Sequence, residues 1–248
     1  MNTDLRKPIL AVAVCSSLAL AMLAARMLLL GSGRHLYLAW NLFLAWLPML
    51  FALLAEWQIR RQRARPWLLA GFCAAWLLFF PNAPYILTDV VHLRPQSFPN
   101  YWADLVLILV FALTGLVLGF LSLFMMQRHV AGRAGGAMGW AFVGGVTLLN
   151  GFGIYAGRFF RWNSWDVVLS PGGLMEDLTG WMAAVPNSPR ASIIPLLFGI
   201  LMFLAYVLLY SLTHLEHPPR MALVPGGAGT WNEGATTGNS GENREGAD

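Results

Sequence analysis

Long apolar runs separated by short polar segments dominate the chain. The clearest run, Leu105–Met126, carries no charged residue over 22 positions. Five others resemble it: Ile9–Leu30, Tyr37–Ala55, Pro66 to about Leu87, Ala137 to about Gly157, and Ala191–Leu212. A helix crosses a hydrocarbon core of roughly 30 Å with about 20 mostly apolar residues. The pattern therefore predicts an all-α fold, an integral membrane helical bundle of about six transmembrane helices. Segment 171–184, with Leu174, Leu178, Trp181 and Met182, reads as a short interfacial helix that either fills space or covers a site. From His217 the chain turns to Gly, Thr, Asn and Glu. Residues 1–216 are thus expected to form the transmembrane domain, and 217–248 a disordered polar tail.

The third run departs from the others. Its apolar stretch from Pro66 ends at Phe80, where Pro81-Asn82-Ala83-Pro84 begins. Fifteen residues cover only about 22 Å, so the prolines fall while the chain is still at membrane depth. A span broken at Pro81–Pro84 frees backbone polar groups, which must be buried in protein or line a wet cavity. If α-helix resumes at Pro84, Asn82, Tyr85, Asp89 and His92 form one polar stripe opposite Ile86, Leu87, Val90 and Val91.

Composition agrees. Hydrophobic residues make up 57% and charged residues 11%, with mean hydropathy +0.58, which excludes a water-soluble surface. The net charge of +4 comes without a basic patch interleaved with aromatics, so no nucleic-acid partner is expected. Cys15 and Cys73 lie inside apolar runs and read as buried thiols. Arg6 and Lys7 precede an apolar run that continues past Arg26, as in a retained signal anchor. With the N-terminus inside, Arg6, Lys7, Arg60, Arg61, Arg63, Arg65, Arg128, Arg133 and Arg220 face inward. Arg34, Arg94, Arg158, Arg161 and Arg190 face outward. This imbalance predicts that both termini are cytoplasmic. The Gly-x-x-x-Gly pairs at Gly115/Gly119, Gly135/Gly139 and Gly153/Gly157 are expected to serve packing within the chain.

Candidate chemistry gathers toward the outer face. Asp89 and His92 are the acid/base candidates. The ligand-binding candidates are Asn82, Tyr85, Asp89, His92, Asp104, Arg158, Arg161, Asn163 and Asp166, with Asn41 and Asn150 in the outer halves of their spans. Asp89 is expected beside Arg158 or Arg161, because a lone buried carboxylate is costly. On the outer side no close His-x-x-His or Cys pair supports a metal, and no cofactor is expected; His214 and His217 are three apart but end the last span at the inner surface, and read as interfacial histidines.

Three stretches carry a family resemblance: Trp40-Asn41-Leu42-Phe43-Leu44-Ala45-Trp46; Phe80 through Asp89 with His92-Leu93; and Gly151-Phe152-Gly153-Ile154-Tyr155 through Arg158 and Arg161 to Asp166. The chain resembles the bacterial multi-pass membrane family called domain of unknown function 1361 over roughly Leu38–Leu212. The resemblance implies a bacterial inner-membrane protein and points to the same residues, but brings no activity, substrate or cofactor. The leading expectation is a binding, sensing or assembly role, with the bilayer and an anionic lipid head group or small polar ligand as partners. The alternatives are a membrane enzyme acting on a lipid-linked substrate and, less favoured, a small transporter. No Ser-x-x-Lys, Gly-x-Ser-x-Gly or His-Glu-x-x-His pattern supports catalysis.

Overall fold

A computed structural model of the chain describes residues 5–61, 65–93 and 101–213, apart from the His92 side chain. The expected tail, His214 and His217 lie outside the described residues. Six long apolar segments are able to cross a membrane. They are α1 (Arg6–Leu30), α2 (Leu36–Arg60), the stretch opened by α3 (Pro66–Phe79), α5 (Tyr101–Ala134), α6 (Gly136–Tyr155) and α9 (Pro189–Thr213). The chain is a multi-pass membrane protein. The expected spans are all present, and most run longer than their apolar cores. The fifth helix in the chain, α5, has 34 residues, about 51 Å at 1.5 Å each, because Gln127-Arg128-His129 continues the helix beyond the apolar run.

The third span breaks where its prolines predict. After α3 comes one helical turn, α4 (Asn82–Tyr85), and then a 3-10 segment over Ile86–His92. The expectation of resumed α-helix is corrected here: the tighter winding places three residues per turn, so the stripe spacing beyond Tyr85 is not that of an α-helix. Prolines at positions 81 and 84 supply no N–H. Around them the Phe80 carbonyl accepts from the Ala83 N–H at 3.2 Å, the Leu78 carbonyl from Ser164 Oγ at 3.0 Å and the Phe79 carbonyl from Asn82 Nδ2 at 3.0 Å. Asn82 Nδ2 also donates to Ser164 Oγ at 2.8 Å.

Glycine notches receive this broken segment. A Cβ on Gly115 would lie 2.5 Å from the Ala83 carbonyl oxygen, and one on Gly119 would lie 3.2 Å from Ala83 Cβ. A Cβ on Gly153 would meet Pro81 Cγ at 2.5 Å, and one on Gly157 would meet the Tyr85 ring at 3.1 Å. The small-residue pairs therefore pack the chain against itself, with α4 and the 3-10 segment wedged among α2, α5 and α6. The α6–α9 contact is tighter still: a Cβ on Gly151 would lie 2.1 Å from the Pro195 carbonyl oxygen.

Polar clamps hold both ends of the bundle. Away from the break, buried Glu56 of α2 pairs with Arg60 and lies 3.9 Å from Arg128 and 3.6 Å from His129 of α5. Tyr206 donates to Gln127, joining α9 to α5. At the break end, Arg26 of α1 grips Asp104 of α5 through Nε–Oδ1 at 2.5 Å and Nη2–Oδ2 at 2.9 Å. Trp46 Nε1 donates to Ser16 Oγ at 3.1 Å, so α1 is an integral helix of the bundle. The two thiols are unbonded; Cys73 is half-buried, but Cys15 lies on the exposed face of α1, which corrects the expectation of a second buried thiol.

Candidate ligand-binding site

Two chain features shape the break end. The helix α6 loosens into a π-helical turn, Ala156–Phe160, and stops at Arg161, which adopts left-handed geometry at φ 61°. Such π turns concentrate at functional positions. The Trp162 N–H reaches back to the Ala156 carbonyl at 3.4 Å, reversing the chain. Asp166 Oδ2 then accepts from the Asn163 N–H at 2.7 Å, at the start of the short α7 (Asp166–Leu169). The interfacial helix expected from sequence is α8 (Pro171–Ala184). Trp162 Nε1 donates to Asp177 Oδ2 at 2.8 Å, and Trp181 Nε1 donates to the Ala191 carbonyl at 2.9 Å, fastening α8 over the turn.

Between α2 and α3 on one side and α6 with its π turn on the other lies a cavity of about 1250 Å³. Asn82, Tyr85 and Asp89 of the broken span line it, as do Asn41 and Asn150. Arg158, Arg161 and Asn163 line it from the turn after α6, and Leu174 and Leu178 of α8 close over it. The stretches that carry the family resemblance thus converge on one space.

Its polar floor is cross-linked. Asp89, 1% exposed, accepts from Asn41 Nδ2 at 2.8 Å. Arg158 Nη1 stands 3.8 Å from Asp89 Oδ1 and donates to the Tyr85 hydroxyl at 3.4 Å, while Nη2 donates to the Thr88 carbonyl. The expected pairing of the two motifs is therefore present and runs through Arg158. Arg161 is exposed at the cavity wall and has no ion pair among the described residues. The same holds for Arg34, a residue the sequence reading did not select. The lining thus holds three arginines and one carboxylate.

Two candidates belong elsewhere. Asp104 does not line the cavity; it is occupied by Arg26, with His35 Nε2 3.2 Å from its Oδ2. Asp166 caps the turn rather than entering the space. His92 closes the 3-10 segment, but its side chain lies outside the described residues. Among the described residues, no three His, Cys, Asp or Glu side chains converge in a way that could hold a metal ion. Ser164 is fixed between Asn82 and the Leu78 carbonyl, and Asp89 between Asn41 and Arg158, which suits a rigid binding wall.

Most of the remaining lining is apolar, including Leu44, Ala74, Leu77, Leu78, Val146 and Leu149. The surface is therefore divided into a cationic rim and an apolar wall. No curated protein and no solved structure matches the chain. A family model described as "Protein of unknown function (DUF1361)" matches residues 40–206, which takes in every resembling stretch and most of the cavity lining. The chain belongs to that family.

Proposed function

We propose that this is a bacterial inner-membrane protein that binds an anionic ligand in a cavity facing the extracytoplasmic side, in a sensing or assembly role, with both termini cytoplasmic. The observation that carries this reading is the charge of the lining. Arg34, Arg158 and Arg161 line the cavity with Asp89 as the single carboxylate of the lining, and Arg34 and Arg161 have no ion pair among the described residues. Arg34 and Arg161 stand just beyond the ends of membrane-spanning helices, where a guanidinium's planar fork suits carboxylate or phosphate oxygens. The fixed hydrogen bonds of Asp89 and Ser164 support binding over proton transfer or nucleophilic attack.

Native mass spectrometry of the full chain, purified in mild detergent and challenged with phosphatidic acid, tests this reading. The wild type should retain the lipid, and the Arg34→Gln/Arg161→Gln double variant should lose most of it. Equal retention by the two proteins would overturn the proposal.

A further inference from the structure

The apolar wall has a gap in it. The third span and α6 meet at two levels. Nearer the middle of the bundle, Trp76 and Phe142 stack with ring centroids 5.9 Å apart. Nearer the break end, Pro81 fills the notch at Gly153. From Phe142 to Gly153 α6 rises about 16 Å, and from Trp76 to Pro81 the third span rises about 7 Å. Between these bridges α3 presents Leu77 and Leu78 and α6 presents Leu149 and Asn150, all lining the cavity. Leu77 is 39% and Leu149 57% exposed, so this part of the cavity lining is accessible, and both leucines lie within membrane-spanning segments.

Behind this window sits an unsatisfied amide. Asn150 is 1% exposed, and neither its Nδ2 nor its Oδ1 has a hydrogen-bond partner among the described residues. Burying an amide without partners is unfavourable, so the position calls for a group that both donates and accepts or for two separate groups. Asn150, Gly153 and Gly157 share one face of α6, and Asn150 lies eight residues before Arg158, about 12 Å deeper along the axis. A molecule that touches both must carry a polar group well below its charge.

We propose that the ligand is a membrane amphiphile that enters sideways between α3 and α6. Its anionic group sits against Arg34, Arg158 and Arg161, and an ester, amide or hydroxyl of its backbone bonds to Asn150. Its hydrocarbon tail lies in the window against Leu77 and Leu149. This inference rests on the anion-binding reading above and adds the class of ligand, the route of entry and a specificity-determining residue. A water-soluble anion entering from the aqueous end would use the same arginines, but neither Asn150 nor the window.

The test compares dioctanoyl phosphatidic acid with glycerol 3-phosphate as probes on the full chain in detergent. Binding and the melting temperature without probe are both measured. The lipid should bind and glycerol 3-phosphate should not compete with it. Filling the window with Leu149→Trp should weaken lipid binding without lowering the melting temperature of the empty protein by more than a few degrees. Asn150→Leu should weaken lipid binding about tenfold, the scale of one lost hydrogen bond. It should also raise the melting temperature of the empty protein, because it removes an unpartnered buried amide. A fall in melting temperature with Asn150→Leu would mean that the amide already serves the fold, and would overturn its assignment. Equal binding of the two probes, indifferent to Leu149→Trp, would overturn lateral entry while leaving the anion seat intact. Lipid binding unaffected by Arg34→Gln/Arg161→Gln would instead sink the anion seat and this inference with it.

Discussion

The Arg26–Asp104 pair offers the sharpest energetic test of the bundle. Both side chains are nearly enclosed, at 11% and 7% exposure, and they meet in a two-pronged fork at 2.5 and 2.9 Å. Removing one partner of such a pair leaves an uncompensated charge in poorly solvated surroundings and typically costs about 3–5 kcal/mol. Asp104→Asn keeps one acceptor oxygen, so a loss near the low end, about 3 kcal/mol, is expected. Asp89→Asn should cost less, about 1–2 kcal/mol. Its contact with Arg158 is longer, at 3.8 Å, and Arg158 keeps the Thr88 carbonyl and the Tyr85 hydroxyl. Reversible unfolding in detergent, run as a cycle over Arg26→Gln, Asp104→Asn and the double variant, measures the coupling. The double variant should be at least about 1 kcal/mol more stable than the sum of the single losses predicts. Strict additivity, or a larger loss from Asp89→Asn than from Asp104→Asn, would refute the ranking drawn from geometry.

Other tests concern packing, pH and topology. Gly151→Ala should cost about 1–3 kcal/mol or more, because its Cβ meets the Pro195 carbonyl oxygen and the Gly199 nitrogen, backbone atoms with no room to yield. Gly144→Ala, with nothing within 4 Å of its Cβ, should be neutral or stabilising by up to about 1 kcal/mol in the same melting assay. Burial holds His35 below its ordinary value of 6.5, opposed by Asp104 and reinforced by Arg26 and Arg34. The unfolded chain then binds a proton that the folded protein refuses, so stability should fall as pH drops below about 6.5. His35→Gln should flatten that part of the pH–stability curve, and an unchanged slope would count against the assignment. In a background lacking Cys15 and Cys73, Asn187→Cys should react with an impermeant thiol reagent in intact cells and Ala134→Cys should not; the reverse pattern would invert the topology.

Much of this architecture was legible because lipid imposes length and apolarity on every crossing. The short run from Pro66 to Phe80 and the two prolines after it announced the break, and the need to neutralise Asp89 pointed to Arg158 or Arg161, of which Arg158 is the partner. What the sequence could not show is partnership across distance. Arg26 interrupts an apolar run with no nearby acid; its partner lies 78 positions away and becomes visible only when α1 packs on α5. Arg34 looked like an ordinary loop arginine because nothing local marks a residue as facing a cavity formed by other helices. Pattern also failed to give the winding after Tyr85. The 3-10 segment begins where Ala83 and Ile86 press into the notch at Gly115, a tertiary contact that periodicity does not encode. In lipid the outward face of a helix is as apolar as its packed face, so the pattern identifies spans better than it identifies sides.

The most direct measurement is a high-resolution density map of the full chain in nanodiscs containing anionic phospholipid. The account predicts an elongated density that begins at Arg158 and Arg161, passes within hydrogen-bonding distance of Asn150, and leaves the protein between Leu77 and Leu149. A cavity holding only water, with Asn150 hydrogen-bonded to a neighbouring protein group and lipid density confined to the outer surface of the bundle, would contradict it.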